Sequence, residues 1–237
     1  MGFAKSISKN KGLLLIIVLC SCLYHCNTVP NPSPTIGPIL PDPMAFLQQQ
    51  TATPIPADSL SKTEYELLQT GDVLLRRGYG WISDYIVAAL KEPYALTHCG
   101  LIVPQDDGLG VLHTASSEQH DGIVIEPLST YVQQSQVHSL VACRPRYTPI
   151  QRRQVLELAQ IYLQQAPPFD YSFDDQDAQA LYCVELLRDL FLIVCQQDYL
   201  PLHYQRGKLS LLGFQSFFDP NNFTILFNHC SPNQANQ

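Results

Sequence analysis

The chain has 237 residues, 46% hydrophobic and 15% charged, with eight cysteines and a formal charge of −7. These numbers exclude a collagen, a coiled coil and a wholly disordered chain, and at roughly 100–200 residues per domain the length fits a single core. The acid excess argues against a nucleic-acid partner, which needs a concentrated basic face.

Lys5, Lys9 and Lys11 form a basic leader without an acid, and Gly12 to Leu19 begins an apolar run reaching Leu23 with Ser21 inside it. That is the length of an export signal, since a membrane span needs about 20 apolar residues. The run ends in Leu19-Cys20-Ser21-Cys22, which resembles a bacterial lipobox, with an aliphatic residue at −3 and a small one at −1 before the cysteine. Cys20 and Cys26 are poorer candidates because Leu19 and His25 precede them. The reading is a lipoprotein signal peptide over 1–21 and lipidation at Cys22, against an ordinary cleaved signal or an uncleaved anchor. Loss of the leader removes three lysines and takes the charge from −7 to −10. Residues 22–57 are proline-dense and lack an apolar period, which predicts an extended tether. A folded domain is expected over 58–220, with 221–237 as a C-terminal tail.

Within the domain, Asp58 to Gln69 has a helical character after Ser59-Leu60-Ser61. Thr70-Gly71-Asp72 is a turn signal before a strand at 73–76. Ile82, Tyr85, Ile86, Ala89 and Leu90 carry a helical period over 81–91, and strands are expected at 97–103, 110–115, 122–126 and 139–144. Helices follow over 149–165 and 182–194, the second so apolar that it must be buried. The tally is an α+β domain, an antiparallel β-sheet packed against helices. Leu209 to Phe218 is an apolar segment expected to pack on it.

Few residues can carry chemistry. Cys183 falls in the first turn of the apolar helix, where backbone N–H groups and the helix dipole favour a thiolate. It reads as a nucleophile or as a small core cysteine. His98 opens an apolar strand and is the best-placed general base, and Gly100 beside it admits a close neighbour. His113, on the next strand, can orient the His98 ring if the strands pair, or be a surface histidine. Cys99 points to the opposite face from His98. No HExxH or CxxC spacing is present, so neither a metal nor a cofactor is expected. No disulfide pairing follows for Cys143, Cys195 and Cys230.

The succession Gly71-Asp72-Val73-Leu74-Leu75, Thr97-His98-Cys99-Gly100-Leu101, Val111-Leu112-His113, Gly122 to Leu128 and Tyr182-Cys183-Val184-Glu185-Leu186 resembles the permuted papain-like cysteine hydrolases of the YiiX/YebB/YaeF group, relatives of the NlpC-type peptidases by circular permutation. The resemblance covers roughly residues 67–194 and implies the circularly permuted papain-like (NlpC-type) fold. It implies Cys183 as nucleophile, His98 as base, and Tyr182 as the aromatic residue lining the oxyanion site. His113 stands where the permuted group often has Glu, and Val184 where the group commonly has a small residue. Asp72 is expected to be structural. The implied activity is hydrolysis of an amide or ester through a thioester, in a lipid-anchored protein of the bacterial cell envelope, on an envelope peptide, lipopeptide or lipid amide. A cysteine acyltransferase acting on lipid, with an apolar groove near residues 82–90, and an inactive binding lipoprotein of the same fold are the alternatives.

Overall fold

The computed structural model describes residues 57–116, 120–173, 179–206 and 209–232. The signal peptide, Cys22 and nearly all of the tether lie outside the described residues. In chain order the elements are α1 (Lys62–Leu67), β1 (Val73–Arg76), α2 (Trp81–Leu90), β2 (His98–Gln105), β3 (Gly108–Ser116), β4 (Asp121–Pro127) and α3 (Leu128–Gln133). There follow β5 (Leu140–Pro145), α4 (Pro149–Gln165), α5 (Cys183–Cys195), β6 (His203–Arg206), β7 (Leu209–Leu212), a 3-10 turn at Gln215–Phe218, and β8 (Phe223–Asn228). No helix among the described residues is long and apolar enough to cross a membrane.

The helices begin where side chains can satisfy their first N–H groups. Ser61 and Glu64 form a capping box on α1, and Thr148 and Gln151 form another on α4, where Pro149 takes the first turn. α4 spans the predicted range. α1 is shorter than the predicted 58–69, because Leu68 is already extended.

Six strands form one antiparallel sheet in the order β4-β3-β2-β1-β5-β8, and β6 and β7 make a separate hairpin. Side chains alternate between the two faces. Val73, Leu75, Cys99, Leu101 and Val103 pack with α5, while Leu74, Ile102, Val111 and Ala142 pack with Leu128, Tyr131 and Val132 of α3. α5 buries Leu186, Leu187, Leu190 and Phe191 against the first face. At roughly 1.5–3 kcal/mol each, these four hold the helix in register and with it the position of Cys183.

Part of the segment expected as a tail over 221–237 is built into the sheet. Phe223–Asn228 is an edge strand on β5, with a register shift between Ala142 and Cys143. Its alternation is weak because only Phe223 and Asn222 at its start are buried. Just beyond it, His229 bridges Asp58 at 2.9 Å and Glu64 at 2.8 Å, and Asp58 also accepts from the Ser139 amide. The start and end of the described domain are thereby fastened together.

Candidate active site

β1 ends, β2 begins and α5 starts around one cavity of about 760 Å³. Its polar wall includes Arg76, His98, His113, Glu126, Gln134 and Cys183, and its apolar wall includes Trp81, Ile82, Ile86, Phe173, Val184 and Phe214.

His98 Nε2 lies 2.9 Å from His113 Nδ1, with the rings edge to face. Gly100 makes this approach possible: a β-carbon there would stand 2.4 Å from Val111 Cγ1 and 3.1 Å from His113 Cβ. Tyr131 of α3 packs against both rings, with centroids 5.8 and 5.2 Å away. Burial, followed by the Arg76 guanidinium and the neighbouring His113 ring, pushes His98 well below the ordinary histidine range, so the His98 ring is neutral at rest. Arg76 stacks over the Tyr131 ring at 4.1 Å and donates to Tyr131 O and Gln134 Oε1.

On its far side His113 Nε2 lies 3.3 Å from Glu126 Oε2. That is an ion-pair distance, although the angle falls short of a hydrogen bond, and neither buried atom has another hydrogen bond among the described residues. Glu126 is held below the usual carboxylate range, chiefly by His113. Glu126 was visible in the sequence only as part of a strand. Its place beside His113 depends on the β3–β4 register, in which His113 pairs with Val124.

Cys183 sits in the first turn of α5, as expected, and is 6% exposed. Burial opposes its thiolate, but the Cys99 side chain and the backbone amides of Cys99, Val184 and Cys183 outweigh it and lower the pKa. The other four described cysteines, Cys99, Cys143, Cys195 and Cys230, are all free thiols shifted upward by burial. Cys183 and His98 line the same cavity without a hydrogen bond between them among the described residues. The reason is strand alternation: Cys183 contacts Cys99, whose side chain faces α5, while His98 and His113 turn toward Tyr131. The cavity, at the end of the strands, is where the two layers meet.

Tyr182 lines the cavity beside Cys183, and its hydroxyl accepts from the Leu212 amide at 2.9 Å, which pins the β6–β7 hairpin over the site. Val184 is buried and also lines the cavity. Asp72 lies elsewhere, buried and accepting two hydrogen bonds from Arg144 and one from the Gln69 amide.

No protein-family model matches the chain, and no curated protein matches it either. Among solved structures it is similar to the metalloprotein yiiX from Escherichia coli O157:H7 (DUF1105), with a TM-score of 0.56 and 16% identity over 69% of this chain and 98% of that one. At that identity the likeness shows a shared fold, an α+β domain of the yiiX type.

Proposed function

We propose that the protein is a cysteine hydrolase of the permuted papain-like type, cleaving an amide or ester through a thioester on Cys183. The observation that carries this reading is the placement of the one described cysteine with a lowered pKa at a helix N-terminus, on the wall of a cavity shared with the His98–His113 pair. His98 would take the Cys183 proton as the sulfur attacks the carbonyl carbon. The N–H groups that open α5 would then stabilise the oxyanion, each such donor being worth about 2.7–4 kcal/mol. His98 would return the proton to the leaving amine or alcohol, and a water activated by the same ring would release the acid. The apolar wall formed by Trp81, Ile82, Ile86 and Phe214 suits a substrate with an apolar portion, such as a lipopeptide or lipid amide. It equally suits acyl transfer to an acceptor other than water. Anchoring in a bacterial cell envelope through a lipid on Cys22 belongs to the same proposal.

The yiiX structure is described as a metalloprotein. The arrangement here fits a metal poorly. Among the described residues no three His, Cys, Asp or Glu side chains are placed to hold an ion, and His98 and His113 direct ring nitrogens at each other.

The test is alkylation of Cys183 by iodoacetamide across pH, followed by mass spectrometry. Rapid modification of the folded protein below pH 7, lost in His98→Ala, supports the hydrolase. Modification only on unfolding favours the binding lipoprotein, a reading helped by the lack of a Cys183–His98 hydrogen bond. Cys183→Ala should abolish turnover of an amide substrate while leaving the far-UV spectrum unchanged.

A further inference from the structure

The proposed chemistry leaves one question about the histidine pair: which ring nitrogen of His98 is available to take a proton. His98 is faced by Arg76 from β1, His113 from β3 and Tyr131 from α3, and Cys183 and His120 line the same cavity. With Nε2 of His98 against Nδ1 of His113, one of the two nitrogens must carry the shared proton.

His113 Nδ1 has a second neighbour, the Thr114 carbonyl oxygen at 3.1 Å. A carbonyl is only an acceptor, so this contact favours a proton on His113 Nδ1, which would make His98 Nε2 the acceptor and place the His98 proton on Nδ1. The opposite arrangement is favoured from the other end of the ring. Glu126 Oε2 lies 3.3 Å from His113 Nε2, and an ionised carboxylate repels a bare nitrogen lone pair and attracts an N–H. The Glu126 side chain is only 20% exposed, so little solvent screens the contact. Gln134 Nε2 approaches Glu126 Oε1 at 3.5 Å and helps hold the carboxyl on this side of the strand.

We infer that Glu126 is a positioning residue of the site, acting through His113: it holds the His113 proton on Nε2, so that His113 Nδ1 accepts from His98 Nε2–H and the lone pair on His98 Nδ1 is left to accept a proton. The inference rests on the reading above only for its effect on Cys183. When a proton leaves the Cys183 sulfur it enters at His98 Nδ1. The positive charge then sits on the His98 ring and is offset, through His113, by the Glu126 carboxylate across three adjacent strands, with no proton gained from or lost to solvent.

The measurement is the ring nitrogen shifts of ¹⁵N-histidine-labelled full-length protein at pH 7, with His98→Ala and His113→Ala used for assignment. The wild type should show His113 protonated at Nε2 alone. In Glu126→Gln the amide can offer an N–H to Nε2, and the proton should move to Nδ1. A wild-type His113 protonated at Nδ1, alone or with Nε2, overturns the inference, and so does the same tautomer in both proteins. Because the wild type alone can overturn it, the outcome does not depend on the variant folding. Iodoacetamide alkylation of the same samples separates the two proposals. A switched tautomer with Cys183 slowed about tenfold, one pKa unit's worth, at unchanged melting temperature supports both. A switched tautomer with unchanged Cys183 reactivity upholds Glu126 and sinks the Cys183–His98 partnership instead.

Discussion

Gly100 lies so close to His113 that a β-carbon on residue 100 would stand 3.1 Å from His113 Cβ and 2.4 Å from Val111 Cγ1. The missing side chain is what lets the two histidine strands bring their rings to 2.9 Å. Gly100→Ala should therefore cost about 1–3 kcal/mol by overpacking. It should also separate the rings, so that the His98 and His113 ring shifts move together. A thermal melt and the nitrogen spectrum check this, and an unchanged spectrum at full stability would show that the glycine does no such work.

Val184 closes the cavity beside Cys183 and is 1% exposed. Val184→Ala removes two buried carbons at a cost of roughly 1–3 kcal/mol, yet should raise the rate at which bulky maleimides reach Cys183. The check compares a small and a bulky thiol reagent on both proteins. If the ratio does not change, Val184 does not restrict entry.

Asp72 is buried, while its partner Arg144 is 30% exposed. Asp72→Asn should cost toward the lower end of the roughly 3–5 kcal/mol expected for breaking a buried pair, because Arg144 keeps contact with water. It should leave the pH profile of Cys183 alkylation where it was. A shifted profile would move Asp72 from scaffold to site.

The Asp58–His229–Glu64 clamp predicts a stability window. Burial opposes the charge on His229, but Glu64 and Asp58 raise its pKa above the ordinary 6.5. Its contribution is complete below 6.5 and lost as pH rises through the folded value. Burial likewise opposes charge on Glu64, but His229 and Ser61 lower its pKa from 4.5 to about 2. That contribution is complete above 4.5 and lost as pH falls toward 2. Both are present between pH 4.5 and 6.5, so the melting temperature should gain most from the clamp there. His229→Gln should flatten the profile in that interval, as a series of melts across pH would show.

Much of this was legible in the sequence because the relevant signals are local. The apolar period over 182–194 and the short apolar runs over 97–103 and 110–115 announce their elements, and the helix start singles out Cys183. The parts that stayed hidden depend on pairing between distant segments. α3 has six residues, too few to show a helical period, yet it supplies Tyr131 beneath both histidines. Glu126 acquires meaning only through the register of β4 on β3. β8 carries a half-exposed pattern that reads as a tail until β5 is seen beside it. The contact of Cys183 with Cys99 arises from packing between helix and sheet, which strand spacing does not reveal.

The fastening of Asp58 to Ser135, Ser139 and His229 has a mechanical side. A pull at residue 57 is resisted at once by the Ser135 carbonyl, the β5 approach and the residue following β8. The load is shared among several bonds and divided between both sides of the β5–β8 pair, instead of peeling one strand from its neighbour. A protein held to a surface by its N-terminal segment would thus transmit drag into the far edge of the sheet, on the opposite side of β1 from the strands that carry His98, His113 and Glu126.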